Sequence, residues 1–308
     1  MQLEKMKCNK NRLYLSGLCK KYEGWMRFVN MIILFCILYL ISLVLFISPF
    51  KIPSYSMEPE LFPGDCILVW KPTYGARIFN VFSKMKGKRV NVYRLPGIRD
   101  VQRNDVIVFN SPYPEWNVWD KIDMHIMKYY VKRCIALPGD ILTIKDGFYK
   151  VKGYQGILGN MYYQRKVNYA DEELLRIESK YYDTLPYDST IQWNIKSFGP
   201  MYIPKKGDRI KLDQKNFLLY KRLIEWETNT QLYYRDSTVF FDEEKKSYYQ
   251  FAKNYYFVVG DNCLNSIDSR HWGLVPEEFI VGKAWVIYKS VDGVTGKVRW
   301  ERILRFIE

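Results

Sequence analysis

"YYVKRCIALPGDILTIKDGFYKVKG", residues 129–153, is the stretch on which the fold class turns. Two runs rich in β-branched and aromatic residues, 129–137 and 140–153, are punctuated by Pro138-Gly139-Asp140 and Lys145-Asp146-Gly147, the residue types that tight turns require. The same texture continues outward in DCILVW (65–70), DVIVFN (105–110), DRIKLD (208–213), YYFVVG (255–260) and IVGKAWVIYKS (280–290). Short strands at close spacing, without alternating helices, predict an antiparallel all-β domain. The 26 tyrosines and 17 phenylalanines suit sheet better than helix bundle. Residues 154–253 are more polar and tyrosine-rich, and they read as an inserted mixed subdomain between core halves at 49–153 and 254–308. Within them a helix is expected over Ala170–Lys180. At the C-terminal end, Trp300, Ile303, Leu304 and Ile307 are spaced for a short amphipathic helix packed on the domain.

Ahead of the strands lies FVNMIILFCILYLISLVLFI (28–47), uncharged and long enough to span a hydrocarbon core as a helix; we take 28–48 as the membrane segment. Residues 1–27 carry Lys5, Lys7, Lys10, Arg12, Lys20, Lys21 and Arg27 against Glu4 and Glu23, so the positive-inside rule places them in the cytoplasm and residues beyond Phe50 outside. The run is longer than a secretory signal and no small-x-small site follows it, so a single-pass anchor is expected. A net charge of +14 would suit nucleic acid, but no recognition motif or basic arm accompanies it. We assign the charge to an anionic membrane surface and expect no nucleic-acid partner. Cys66, Cys134 and Cys263 fall outside the membrane without metal-ligand spacing, and small buried apolar groups are their expected role; no metal or cofactor is implied.

Three segments are able to carry chemistry. KIPSYSMEPELFPGDCILVW (51–70) sets Ser56 between prolines directly behind the apolar run, as an extended linker or as a rigidly held nucleophile. The two histidines, His125 and His271, lie in no protease context, so a base for Ser56 must be sought elsewhere. Lysine serves only when neutral, which demands a dry pocket. Strand alternation puts Tyr130, Lys132 and Cys134 on one face and Tyr129, Val131 and Arg133 on the other. Lys132 is then either a base in apolar company or a side chain snorkelling from a strand edge. The third segment, 258–284, holds the Gly260-Asp261-Asn262 turn, Ser266 with a hydroxyl able to orient an amine, and Asp268 with Arg270 as a pair; a self-capped polar loop is the plain alternative.

Taken together, IPSYSMEPELFPGDCILV (52–69), RNDVIVFNSP (103–112), YYVKRCIALPGD (129–140) and GDNCLNSIDSRHWGLVPEEFIVGKA (260–284) resemble, in this order behind an anchor, the boxes of the type I signal peptidases. The likeness covers most of 50–153 and 254–308, and within the insertion only GPMYIPKKGD (199–208). It implies a β catalytic core with a Ser-Lys dyad, Ser56 matching the nucleophile and Lys132 the general base. Ser54 matches the oxyanion-hole serine, Ser266 the residue orienting the lysine, and Asp268 with Arg270 the supporting pair. Ile52, Pro53, Met57, Leu61 and Tyr130 match the pocket for the residue before the cut. Phe50, Val108, Tyr129 and Val131 match the pocket for the residue two earlier. Shallow apolar pockets imply cleavage after small-x-small sites, with signal-peptide-bearing preproteins and the lipid bilayer as partners. Cys263 and Leu264 stand where the family pattern has an arginine and an aspartate, and Glu60 and Asn104 are further departures. If Cys263 and Leu264 merely repack the loop, restoring Arg and Asp there should change activity modestly. The rival reading is a catalytically impaired, membrane-tethered relative that binds preproteins without cutting; a self-cleaving Ser-Lys regulator would leave the anchor unexplained.

Overall fold

The computed structural model describes residues 2–115, 118–179 and 181–308, with side chains from Gly24 onward. It divides into two compact units, Met1–Ile47 and Ser48–Glu308. The first is the helix Gln2–Leu45. Its Gly24–Leu45 portion, 22 residues and about 33 Å at 1.5 Å per residue, is long and apolar enough to cross a membrane. The helix stops at Leu45 and Ile47 already opens a strand, so the helical part of the apolar run is shorter at its C-terminal end than 28–48.

The second unit is built on a seven-stranded sheet in the order Ile47–Lys51, Asp65–Trp70, Ile280–Ser290, Val106–Ser111, His125–Ala136, Tyr255–Val259, Val275–Pro276. The pairs from Asp65–Trp70 onward are antiparallel. Strands from after residue 254 lie between and beside strands from before residue 137, so neither half can bury its faces alone. The 140–153 run folds as the hairpin Ile141–Lys145 and Phe148–Val151. Its two central turn residues, Asp146 (φ 54°) and Gly147 (φ 84°), both take the left-handed conformation that two-residue hairpins demand. Ser197–Tyr202 adds a third strand to this hairpin from inside the inserted region. The described fold is thus mostly β with few helices, as the strand pattern predicts.

Three differences concern the helices. The one expected over Ala170–Lys180 runs Glu172–Glu178, because Ala170 is extended and Asp171 caps the helix by accepting the Leu174 N–H; Lys180 lies outside the described residues. A longer helix, Gln214–Thr228, forms where the sequence pattern predicts none. Asp213 caps it, Asn229 ends it in the left-handed conformation, and Leu219, Tyr220, Leu223 and Ile224 form its buried face. The C-terminal helix does not form. Trp300–Arg302 makes one 3₁₀ turn, after which Leu304 (φ 65°) redirects the chain to run against Ile280–Ser290. There Leu304 and Ile307 N–H groups donate to Ile287 and Trp285 carbonyls, and Ile287 N–H donates to Arg305. Completing unpaired backbone along that strand outweighs the helical pattern, and Trp300 and Leu304 are left exposed.

Two apolar clusters pack against the sheet. The larger gathers Ile107, Phe109 and Cys134 with Leu219, Leu223 and Ile224 of the inserted region, so that region shares a core with the sheet. The smaller contains Ile52, Met57, Leu61, Val106, Val108 and Ala284. Cys134 and Cys263 are buried and Cys66 half-buried, all as free thiols.

Candidate active site

Ser56 sits in a single 3₁₀ turn, Tyr55–Met57, with Met57 and Leu61 buried beneath it as anchors. The ends of this segment are stapled together: Ile52 N–H donates to Asp65 O and Gly64 N–H to Ile52 O, at 2.8 and 2.9 Å. The fully buried Asp65 carboxylate accepts from Phe62 N–H, Ser290 Oγ and Arg302 Nη2. Burial alone would raise the Asp65 pKa; Arg302 and the other donors outweigh it and hold the group below its usual range. A short turn with no slack presents the Ser56 hydroxyl.

Lys132 lies on His125–Ala136 opposite Ile107, with Tyr130 two residues away opposite Phe109, the shared face that alternation predicts. Its side chain is buried, and Nζ donates to Ser56 Oγ at 2.6 Å. Ser54 Oγ is 3.3 Å from the same Oγ. Neither histidine makes a hydrogen bond to Ser56. His271 is structural: its Nδ1 accepts the Asp268 N–H at 3.3 Å and Nε2 lies 3.4 Å from Tyr181 O. Burial pushes its pKa down to about 4 against the pull of Asp268.

The 260–270 loop closes the site from the other side. Asn262 N–H donates to the Ser56 carbonyl at 3.2 Å. A methyl group on Gly260 would lie 2.3 Å from both that carbonyl and Ser266 Oγ, so only glycine fits. Ser266 Oγ is buried with no hydrogen-bond partner among the described residues. Arg270 is fully buried and binds Asp268 through Nε and Nη2, both at 2.8 Å, while Nη2 also reaches the Cys263 carbonyl at 2.9 Å. Burial opposes ionisation of Asp268, yet Arg270 outweighs it and keeps the carboxylate charged far into acid. Asp268 then accepts the Gly260 N–H at 3.0 Å, which ties the ion pair to the turn beside Ser56.

Of the residues expected to line the substrate pockets, Phe50, Ile52, Met57, Leu61, Val108 and Val131 come together in the smaller cluster. Tyr129 joins them through an edge-on contact with Phe50, ring centres 4.8 Å apart. Pro53 is exposed, and Tyr130 packs instead with Phe109 in the larger cluster. Sequence reasoning missed three supports. Gly260 is required by its contacts with Ser56 and Ser266. Asn262 contributes its backbone. Arg133 leaves the opposite face of its strand, as expected, but is buried and grips Asp261 with two 2.6 Å bonds. The signal for this last pair was an arginine next to the lysine and an aspartate in the turn.

Residues 25–289 match the family model described as signal peptidase, peptidase S26. Signal peptidase I of Buchnera aphidicola subsp. Schizaphis graminum is 30% identical over 247 residues, covering 80% of this chain and 69% of that one. Signal peptidase I of Helicobacter pylori J99 is 28% identical and covers 92% of this chain and 96% of its own length. That of Pseudomonas aeruginosa is 29% identical, covering 84% and 69%. With the family model spanning most of its length, this chain belongs to the signal peptidase family, peptidase S26, and is a serine endopeptidase that processes signal peptides.

Proposed function

We propose that the enzyme cuts preproteins with a Ser56–Lys132 dyad. Ser56 Oγ attacks the scissile carbonyl while neutral Lys132 Nζ takes its proton. The tetrahedral oxyanion is held by Ser54 Oγ and the Ser56 backbone N–H. Lys132 then returns the proton to the leaving amine, and water, activated by the same amine, hydrolyses the acyl-enzyme. We assign Ser266, whose buried hydroxyl is left unpartnered among the described residues, to orienting the amine during turnover, and Asp268 with Arg270 to holding the loop that carries Ser266. The observation that carries this reading is the 2.6 Å contact between a buried lysine and the hydroxyl of a buried serine.

The apolar cluster around Ile52, Met57, Leu61, Val108 and Val131 supports a preference for small side chains before the cut and two positions earlier, with Phe50 and Tyr129 at the second of these. Gly24–Leu45 supports anchorage in the cytoplasmic membrane, with the basic N-terminal segment inside and residues 51–308 outside. Against the non-cutting alternative stands the brace itself: Arg270 holds Cys263 by its carbonyl, a contact that any side chain at 263 leaves available.

The test is turnover of a preprotein with an Ala-x-Ala site. Ser56→Ala should abolish cleavage, whereas Ser54→Ala should keep residual activity, because one oxyanion donor is worth ~10²–10³ in rate. Undiminished cleavage by Ser56→Ala would sink the mechanism.

A further inference from the structure

The 260–266 loop has two faces. The inner one touches the chemistry through the Asn262 N–H on Ser56 O and through Ser266 against Gly260. The outer one carries Cys263 and Leu264, the two departures from the family pattern. Where that pattern places charges, these side chains lie in an apolar cluster with Tyr163, Val167, Leu175 and Ile195. All four partners come from the inserted region, three of them from the helices Met161–Tyr169 and Glu172–Glu178.

The first of these helices is itself firmly seated. Gln164, buried, accepts the Tyr149 N–H at 2.9 Å and donates to Leu158 O at 2.7 Å, which couples the helix to the 141–151 hairpin. Val167 lies against Gly147 so closely that a methyl group there would be 2.8 Å from its Cγ1. A support fixed to the hairpin at one end and to Cys263 and Leu264 at the other transmits little movement to the loop. Close-packed apolar contacts resist displacement because any gap forfeits dispersion energy on both sides.

We infer that the inserted helices 161–178 are a positioning element for the active site, clasping the lysine-side loop through Cys263 and Leu264 by apolar packing. This rests on the Ser56–Lys132 reading. Val167 and Leu175 touch no reacting atom; they act through the loop on the register of Ser56 with Lys132. Their loss should therefore appear in kcat rather than in KM.

The experiment compares two equal truncations in the full-length protein in detergent, assayed on the Ala-x-Ala preprotein. Leu175→Ala opens the clasp; Leu223→Ala opens the core under the helix 214–228, away from it. Both should lower Tm. Leu175→Ala should also lower kcat about tenfold with KM within about twofold, since small misplacements of reacting groups are costly. The volume-conserving Leu175→Met should restore kcat, and Leu223→Ala should leave it unchanged. If Leu175→Ala does not fold, Cys263→Ser replaces the thiol by a smaller polar group and should lower kcat in the same way. Equal kcat for Leu175→Ala and Leu223→Ala, a rise confined to KM, or wild-type kcat in Cys263→Ser overturns the inference. Turnover by Ser56→Ala or Lys132→Met would instead remove the dyad reading, and the inference with it.

Discussion

The nucleophile segment and the outer face of the lysine-side loop are both held still, by opposite means. Around Ser56 the supports are buried charges and backbone hydrogen bonds: Asp65 with Arg302, and Asp268 with Arg270. On the outer face of 260–266 the Cys263 and Leu264 side chains are held by packing among aromatic and aliphatic side chains. Charge pairs fix direction and are sensitive to losing one partner. Apolar packing fixes position and is sensitive to volume and to any introduced charge. The departures at 263 and 264 become intelligible in these terms, because the inserted helices cover a face that would otherwise meet water.

The largest effect should come from breaking the buried charges. Asp268→Ala leaves Arg270 ionised in the interior, and the expected loss is about 3–5 kcal/mol by chemical denaturation. A loss below about 1 kcal/mol would mean that the pair is not structural. Cys263→Arg with Leu264→Asp should come next, at roughly 3 kcal/mol, since it forces a bulky cation into the buried Cys263 position and a carboxylate against the apolar clasp. A neutral or stabilised double variant would show that the clasp does not exist.

Acid offers a gentler probe of the charged side. His271 is neutral in the fold down to about 4 and takes a proton at about 6.5 when unfolded. Between those values the unfolded state binds more protons, so stability is intact above pH 6.5 and falls as pH drops towards 4. The gap corresponds to about 3 kcal/mol at most. His271→Gln should flatten that part of the stability profile relative to the parent, and an unchanged slope would exclude His271 as its source. At the small end, the pair of exposed Arg305 with half-buried Glu60 contrasts with both. Arg305→Ala should change Tm hardly at all, with a cost of about 0–1 kcal/mol that shrinks in salt.

Much of this was legible beforehand, for identifiable reasons. The strands announce themselves because period-two apolar patterning and Pro-Gly-Asp or Lys-Asp-Gly turns are local properties. Ser56 and Lys132 stood out through their motifs, and the register confirms which face Lys132 shares. The Gln214–Thr228 helix was masked by aromatic and charged residues around a narrow buried stripe. The fate of the C-terminal segment depended on free backbone along Ile280–Ser290, which no local pattern records. Tyr130 and Cys263 were illegible in another way: their neighbours are set by strand register and by helices about a hundred residues away in the chain.

The most direct measurement is kcat/KM of the full-length enzyme against pH on the Ala-x-Ala preprotein, for the parent, Lys132→Met, His125→Ala and His271→Gln. Activity should fall as acid charges the lysine, and that limb should persist in both histidine variants at pH values where they remain folded. Lys132→Met should retain the fold and lose at least about 10²–10⁴ in rate, the worth of a general base. Substantial turnover by Lys132→Met, or disappearance of the acid limb in a folded histidine variant, would contradict lysine as the base.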